Sequence, residues 1–237
     1  MSETLLSNRV YTELYDAMLA KRLRPGDRLN RRQVAEDLGV SVAPVLEAMT
    51  QLEWEGFLQT SPRLGTIVRP ITARHALGRF LLRQAIEVEA ARRYAGDMVR
   101  NRRDKLLKAA RKTDAATAGS LANWRTEVDF HEGLVACAGC PVLQHEFSHV
   151  MRHSLYHAAN KLLPSLPPRA PHLHEALVED LCKADAAAAD RLIRQHLAPW
   201  ISALTEAAEA EGHQAPPEVR YVRGSAVRLK RRRPLVG

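Results

Sequence analysis

Histidine supplies most of the chemistry this chain can offer, and all 10 histidines of the 237 residues fall after residue 70. Glu127 and His131 stand four apart in an apolar-periodic segment. On a helix that spacing puts a carboxylate and an imidazole on one face, a turn apart, where both reach a single ion. His174 and His196 lie on the next pair of expected helices, one near a helix start and one deep in its helix. Antiparallel packing brings them to similar height. Three imidazoles and one carboxylate suit a divalent transition metal (zinc, nickel, iron or manganese), and an octahedral ion so held keeps positions open for ligand oxygens. Spacing alone equally fits histidines that are satisfied in the core or face solvent.

A second row, His145, His149, His153 and His157, recurs every four residues beside Phe147, Met151 and Leu155. It reads as a polar helix face with adventitious histidines. The other reading is a pocket wall in which His149, Arg152 and His153 bind an anionic effector, with partial protonation near neutral pH suiting that use.

The segments that must position these residues read as helices. Apolar periodicity recurs over about 73–96, 100–118, 121–138, 141–163, 173–183 and 186–210, with no competing strand pattern. Pro164, Pro167, Pro168 and Pro171 mark one break, and Asp185 another. The expectation for 72–213 is an all-α antiparallel helical bundle, a fold that builds ligand and metal sites from inward-pointing side chains on facing helices.

Residues 1–71 carry a different pattern. An amphipathic segment with Val10, Leu14, Ala17, Met18 and Leu23 ends at a Pro25-Gly26 turn. A helix follows over about 31–38, which Asn30 can cap and Gly39 ends; Ser41 can cap the next helix, whose apolar positions are Val45, Ala48, Met49 and Leu52. After Gly56 the pattern turns extended, with Phe57-Leu58 and Thr66-Ile67-Val68 flanking a turn at 61–65. This is a winged helix-turn-helix with a small β-hairpin wing, so the fold class is mainly α. In that architecture the second helix enters the major groove, and Ser41, Val42, Ala43 and Pro44 hold its N-terminal positions.

The formal charge of +8 is unevenly placed. Residues 1–70 hold 9 basic and 9 acidic residues, 71–213 hold 19 and 17, and 214–237 hold 7 and 1. The excess belongs to the tail, whose Lys-Arg-Arg-Arg run reads as a flexible basic arm able to add phosphate contacts or simply to be solvated. Three cysteines give no disulfide framework and a poor zinc set, which fits a reduced cytoplasm. No run of 18 apolar residues indicates membrane insertion, and no early apolar run indicates export.

The run RLRPGDRLNRRQVAEDLGVS, continued by EAM, LE, EGF and GT toward Pro70, resembles the N-terminal domain of the GntR superfamily of bacterial transcription regulators. Residues from about Leu82 to Leu197 resemble the FCD ligand-binding domain of its FadR subfamily, on the residues around Arg83, Glu127-to-His131, the Gly139 turn, and His174 through His196. The resemblance implies DNA contacts at Arg32, Ser41, Arg63 at the wing turn and Gly65 at the wing tip. Val42 and Leu46 stand where relatives carry arginine, which removes a bidentate guanine contact and leaves Val42 to pack on a thymine methyl. It also implies a metal held by Glu127, His131, His174 and His196, with glutamate in place of the usual aspartate. Asp129 is two residues from His131 and so faces away, and His172 breaks the apolar register that His174 keeps with Leu177 and Leu181. Arg83 matches an effector-pocket arginine, against the alternative of an exposed ion pair with Glu87. Cys140 stands where the family's Gly-Asn-Pro turn has asparagine.

The expected function is a cytoplasmic, homodimeric regulator, repressing in the family's commoner manner, that binds double-stranded DNA and senses a small carboxylate effector through a metal. The rival readings are a metal-dependent enzyme acting on a small organic acid, and a ligand sensor whose head has lost sequence-specific DNA binding.

Overall fold

A computed structural model of the chain describes residues 3–62, 65–161, 163, 172–212 and 229. Two compact units separate at Ile71 and Thr72. The wing-turn residue Arg63, the four-proline break and the basic run of the tail lie outside the described residues. Leu229 is described: it is buried, and its backbone N–H donates to Asp37 Oδ2 at 2.7 Å, within the first unit.

The first unit opens with α1 (Glu3–Leu19), whose Val10, Leu14, Ala17 and Met18 are fully buried at helical spacing. The turn after it is tied down locally, because Asp27 Oδ2 accepts from the Arg24 N–H at 2.8 Å and the Gly26 N–H reaches Val68 O at 2.8 Å. Gly26 has φ +91, a conformation that favours glycine. Helix α2 (Arg31–Leu38) starts as its sequence requires: Asn30 Oδ1 accepts from the N–H groups of Arg32 at 2.9 Å and Gln33 at 3.3 Å. Gly39, left-handed at φ 65, ends it. Helix α3 (Val42–Trp54) buries Pro44, Val45, Ala48, Met49 and Leu52, and packs on α1. Ser41 holds the N-cap position of α3, yet its side chain makes no capping bond, contrary to the expected role.

The wing is a hairpin of β2 (Leu58–Ser61) and β3 (Gly65–Val68), paired antiparallel from Leu58 with Val68 to Ser61 with Gly65. A two-residue strand β1 (Arg28–Leu29) pairs with β3 on its other side, giving the order β1-β3-β2. The sequence showed only a turn there, since two residues carry no alternation; the pairing comes from the fold.

The second unit is all-helical: α4 (Ala73–Tyr94), α5 (Asp97–Arg100), α6 (Arg103–Asp114), α7 (Leu121–Val135), a 3-10 turn at Ala136–Ala138, α8 (Pro141–Ala159), α9 (Leu173–Lys183) and α10 (Ala186–Ala210). The helix expected over about 100–118 is present as the shorter α6, and the single-turn α5 precedes it. Gly96, at φ 76, separates α4 from α5, and its N–H donates to Leu181 O at 3.0 Å. Helix α4 lies along α10 and α8, while α6 packs between α7 and α9. The main core runs from Ile86 to Leu197 and contains Tyr94, Phe130, Phe147 and Met151. A satellite cluster joins Ala76, Phe80, Trp124 and Leu204, where Trp124 meets Trp200 at 5.1 Å between ring centroids. Trp54 at the end of α3 is 88% exposed. Among the described residues no helix is long and apolar enough to cross a membrane.

Candidate metal centre

Helix α7 presents Glu127, Phe130 and His131 to the core because positions one turn apart share a face, and all three are buried. Helix α9 brings His174 in at its first turn, and α10 brings His196 at mid-helix. One ring nitrogen from each of His131, His174 and His196 lies within 4.8 Å of the others. Glu127 Oε2 stands 3.6 Å from His131 Nε2 and 3.4 Å from His174 Nε2. The three histidines singled out by spacing therefore cluster, and Glu127 lies beside two of them. Phe130 wedges edge-on between two of the rings, with centroids 5.1 Å from His131 and 4.9 Å from His174, and is itself fully buried. Truncating such a ring to alanine costs about 3–5 kcal/mol, so ring orientation here is tied to core packing.

The two Nε2 atoms of His131 and His174 are buried and make no hydrogen bond among the described residues. A buried lone pair without a donor is costly, and a cation removes that cost. The donor set fits zinc, nickel, iron or manganese, all of which accept imidazole and carboxylate. Burial lowers the basicity of the His174 imidazole, but Glu127 and Asp114 outweigh it and raise its pKa above the usual value. Burial, with His131 and His174 beside it, holds His196 well below its usual pKa and so neutral, the form that ligates.

Two further carboxylates complete the centre, and the spacing argument missed both. Glu87 on α4 meets His131 Nδ1 through Oε2 at 2.7 Å, and Asp114 at the end of α6 meets His174 Nδ1 at 2.6 Å. Both contacts are tertiary, 44 and 60 residues apart in sequence, so no local period signals them. Burial pushes the Glu87 carboxyl up, yet His131 and Arg83 more than reverse this and bring its pKa down to about 2.

Arg83 does pair with Glu87, Nε donating to Oε1 at 2.6 Å, but the pair is buried and not the exposed one considered from sequence. Its Nη2 is buried with no hydrogen-bond partner among the described residues. The other effector candidates are on α8. His153 is buried; His149 is half-buried, accepting at Nδ1 from Arg152 Nη2 at 2.6 Å while its Nε2 meets His145 Nε2 at 3.1 Å. The competitors fall away: Asp129 is exposed and 3.8 Å from Lys112, and His172 is exposed and paired with Glu175 at 2.7 Å.

In the head, Arg32, Ser41, Ala43 and Gly65 are exposed, and Val42 and Leu46 are each 43% exposed. Pro44 departs from the expectation: it is buried, because its position in the first turn of α3 faces the head's core. The exposed face of α3 thus presents two aliphatic side chains one turn apart and no Lys or Arg.

A winged head joined to an all-helical unit defines a class of transcription regulators, and the comparisons agree. Residues 79–199 match the FCD domain, and residues 6–68 match the bacterial regulatory proteins of the gntR family. The chain belongs to the GntR-type regulators that carry an FCD domain. It is 28% identical over 135 residues to an uncharacterized HTH-type transcriptional regulator in an unstable DNA locus of Streptomyces ambofaciens, covering 55% of each chain. It thus spans about half the length of that curated relative. Over 197 residues it is 25% identical to the HTH-type transcriptional repressor RspR of Escherichia coli, covering 81% of this chain and 86% of that one. Among solved structures, a putative GntR regulator from Rhodococcus sp. superposes with a TM-score of 0.65 at 19% identity, over 85% of this chain and 98% of the other. Escherichia coli McbR/YncC gives 0.62 at 18%, over 87% and 98%. Both share the fold.

Proposed function

We propose that the chain is a DNA-binding transcription regulator, acting as a homodimer and as a repressor, whose helical unit senses a small carboxylate through a bound divalent metal. The observation that carries this reading is the buried cluster of His131, His174 and His196, in which the Nε2 atoms of His131 and His174 make no hydrogen bond among the described residues and face Glu127 Oε2. These four residues would hold the ion. Zinc, nickel, iron or manganese bound there supplies open coordination positions for a carboxylate oxygen. Arg83 contributes the second grip, since its Nη2 is buried with no hydrogen-bond partner among the described residues while Glu87 holds its Nε; a guanidinium N–H to a carboxylate is a strong, charge-assisted bond. His153, on the buried face of α8, and Arg152, whose Nη2 donates to His149 Nδ1, are the further groups assigned to the anionic effector. An effector that binds one arrangement of the helical unit better than another shifts the population of that arrangement and so the heads' fit to two half-sites.

DNA contact falls to Arg32, Ser41, Ala43, Gly65 and Arg63, with Val42 and Leu46 offering apolar surface in place of arginine. The cytoplasm is the expected compartment. Footprinting of the purified chain on its own upstream region, with and without metal and a panel of small carboxylates, tests the reading. A protected palindrome whose protection changes with a carboxylate supports it. Absence of binding at low salt under every condition overturns it. Uniform weak protection supports the second reading favoured by the aliphatic face of α3, a sensor whose head no longer selects sequence.

A further inference from the structure

Each of two metal-site histidines is held from behind by a carboxylate on a different helix. Glu87 Oε2 is 2.7 Å from His131 Nδ1, and Asp114 Oδ1 is 2.6 Å from His174 Nδ1. A carboxylate accepts, so in the neutral ring the proton stays on Nδ1 and the lone pair is left on Nε2. Those Nε2 atoms are the ones that are buried without a hydrogen bond and that face Glu127. Without the carboxylates either nitrogen of a neutral ring can carry the proton, and a protonated Nε2 cannot ligate.

The two carboxylates are held differently. Glu87 spends its other oxygen on Arg83, so part of its charge is already neutralised. The carboxylate of Asp114 also accepts from the backbone N–H groups of His174, at 3.1 and 3.2 Å, and of Glu175, at 3.2 Å. It therefore caps the start of α9 from the end of α6 and fixes the imidazole that α9 carries.

We infer that Glu87 and Asp114 are positioning residues of the metal centre, setting the tautomers of His131 and His174 so that both present Nε2 to the ion, with Asp114 also locking the α9 terminus that delivers His174. This rests on the reading of those histidines as metal ligands. Outer carboxylates of this kind raise ligand basicity as well as fixing ring orientation.

The test uses the full chain, stripped of metal. Zinc affinity is measured by competition with a chromophoric chelator for the wild type, Glu87→Gln and Asp114→Asn. In parallel, two-bond nitrogen–proton NMR correlations in mildly alkaline buffer report the imidazole tautomers of the metal-free wild type. The expected result is the Nδ1–H tautomer at His131 and His174, and zinc affinity about 10–100-fold weaker in each variant, with the larger loss in Asp114→Asn. Asparagine keeps an oxygen for the α9 amides, so circular dichroism of that variant should match the wild type. Finding Nε2–H tautomers in the wild type, or zinc affinities of both folded variants within about twofold of it, overturns the inference. Should a variant fail to fold, the wild-type tautomers decide. A wild type that takes no zinc yet shows both Nδ1–H tautomers overturns the metal reading while supporting the carboxylates' hold on the rings.

Discussion

The histidines of α7, α9 and α10 and the histidines of α8 look alike in the sequence, yet the fold gives them opposite company. His131 and His174 gather Glu87, Asp114 and Glu127 around them. On α8, His149 meets Arg152, and His157 lies beside Arg79 and His75, which together with burial bring its pKa down to about 3. One set collects negative charge and suits a cation; the other collects positive charge and suits an anion. A four-residue spacing decides which face a histidine is on, and the charge of the helices packed against that face decides what it can bind.

The contrast can be broken most directly at the ligands. His174→Ala and Glu127→Ala should each cost more metal affinity than the about 10–100-fold lost with an outer partner, read by metal analysis after dialysis. Unchanged metal content in both would dissolve the first half of the comparison. The next largest effect concerns His157. Its folded pKa lies below the unfolded value, so the unfolded chain binds the proton first and the fold loses stability as pH falls from about 6.5 toward about 3. In metal-free protein His157→Leu should flatten the acid side of a plot of urea midpoint against pH; an unaltered slope would show that burial beside Arg79 and His75 does not hold His157 neutral.

Smaller effects sharpen the picture. Helix α8 begins at Cys140, an N-cap residue whose side chain makes no capping bond. Cys140→Asn supplies that acceptor and should stabilise the protein by about 1 kcal/mol in thermal melts, with metal affinity unchanged, since α8 holds none of the four ligands. Smallest of all, the double change His145→Ala, His149→Ala should leave metal stoichiometry intact and move stability by no more than about 0.5 kcal/mol. Loss of metal comparable to that of His174→Ala would make the α8 row part of the metal's own ligand set.

The helices of both units were legible because their apolar periods are long and uninterrupted, as in α4 and α10, and the wing because Gly65 and the β-branched Thr66, Ile67 and Val68 mark it. Strand β1 was not, since Arg28 and Leu29 are extended only by pairing with Ile67 and Thr66. Glu127 and His131 were legible as a local pair, and His174 and His196 needed only the assumption that their helices face α7. The burial of Pro44 and of the Arg83–Glu87 pair, and the role of Asp114, depend on which helix packs where. No window along the chain contains both Asp114 and His174, 60 residues apart.

The tryptophans give this architecture an intrinsic optical readout. Trp54 stands in water at the end of α3, while Trp124 and Trp200 are neighbours in the bundle. Iodide should quench the first far more readily than Trp124, and the paired indoles should report changes in bundle packing through near-ultraviolet dichroism. A single cuvette can thus follow the head and the helical unit separately, without any attached dye.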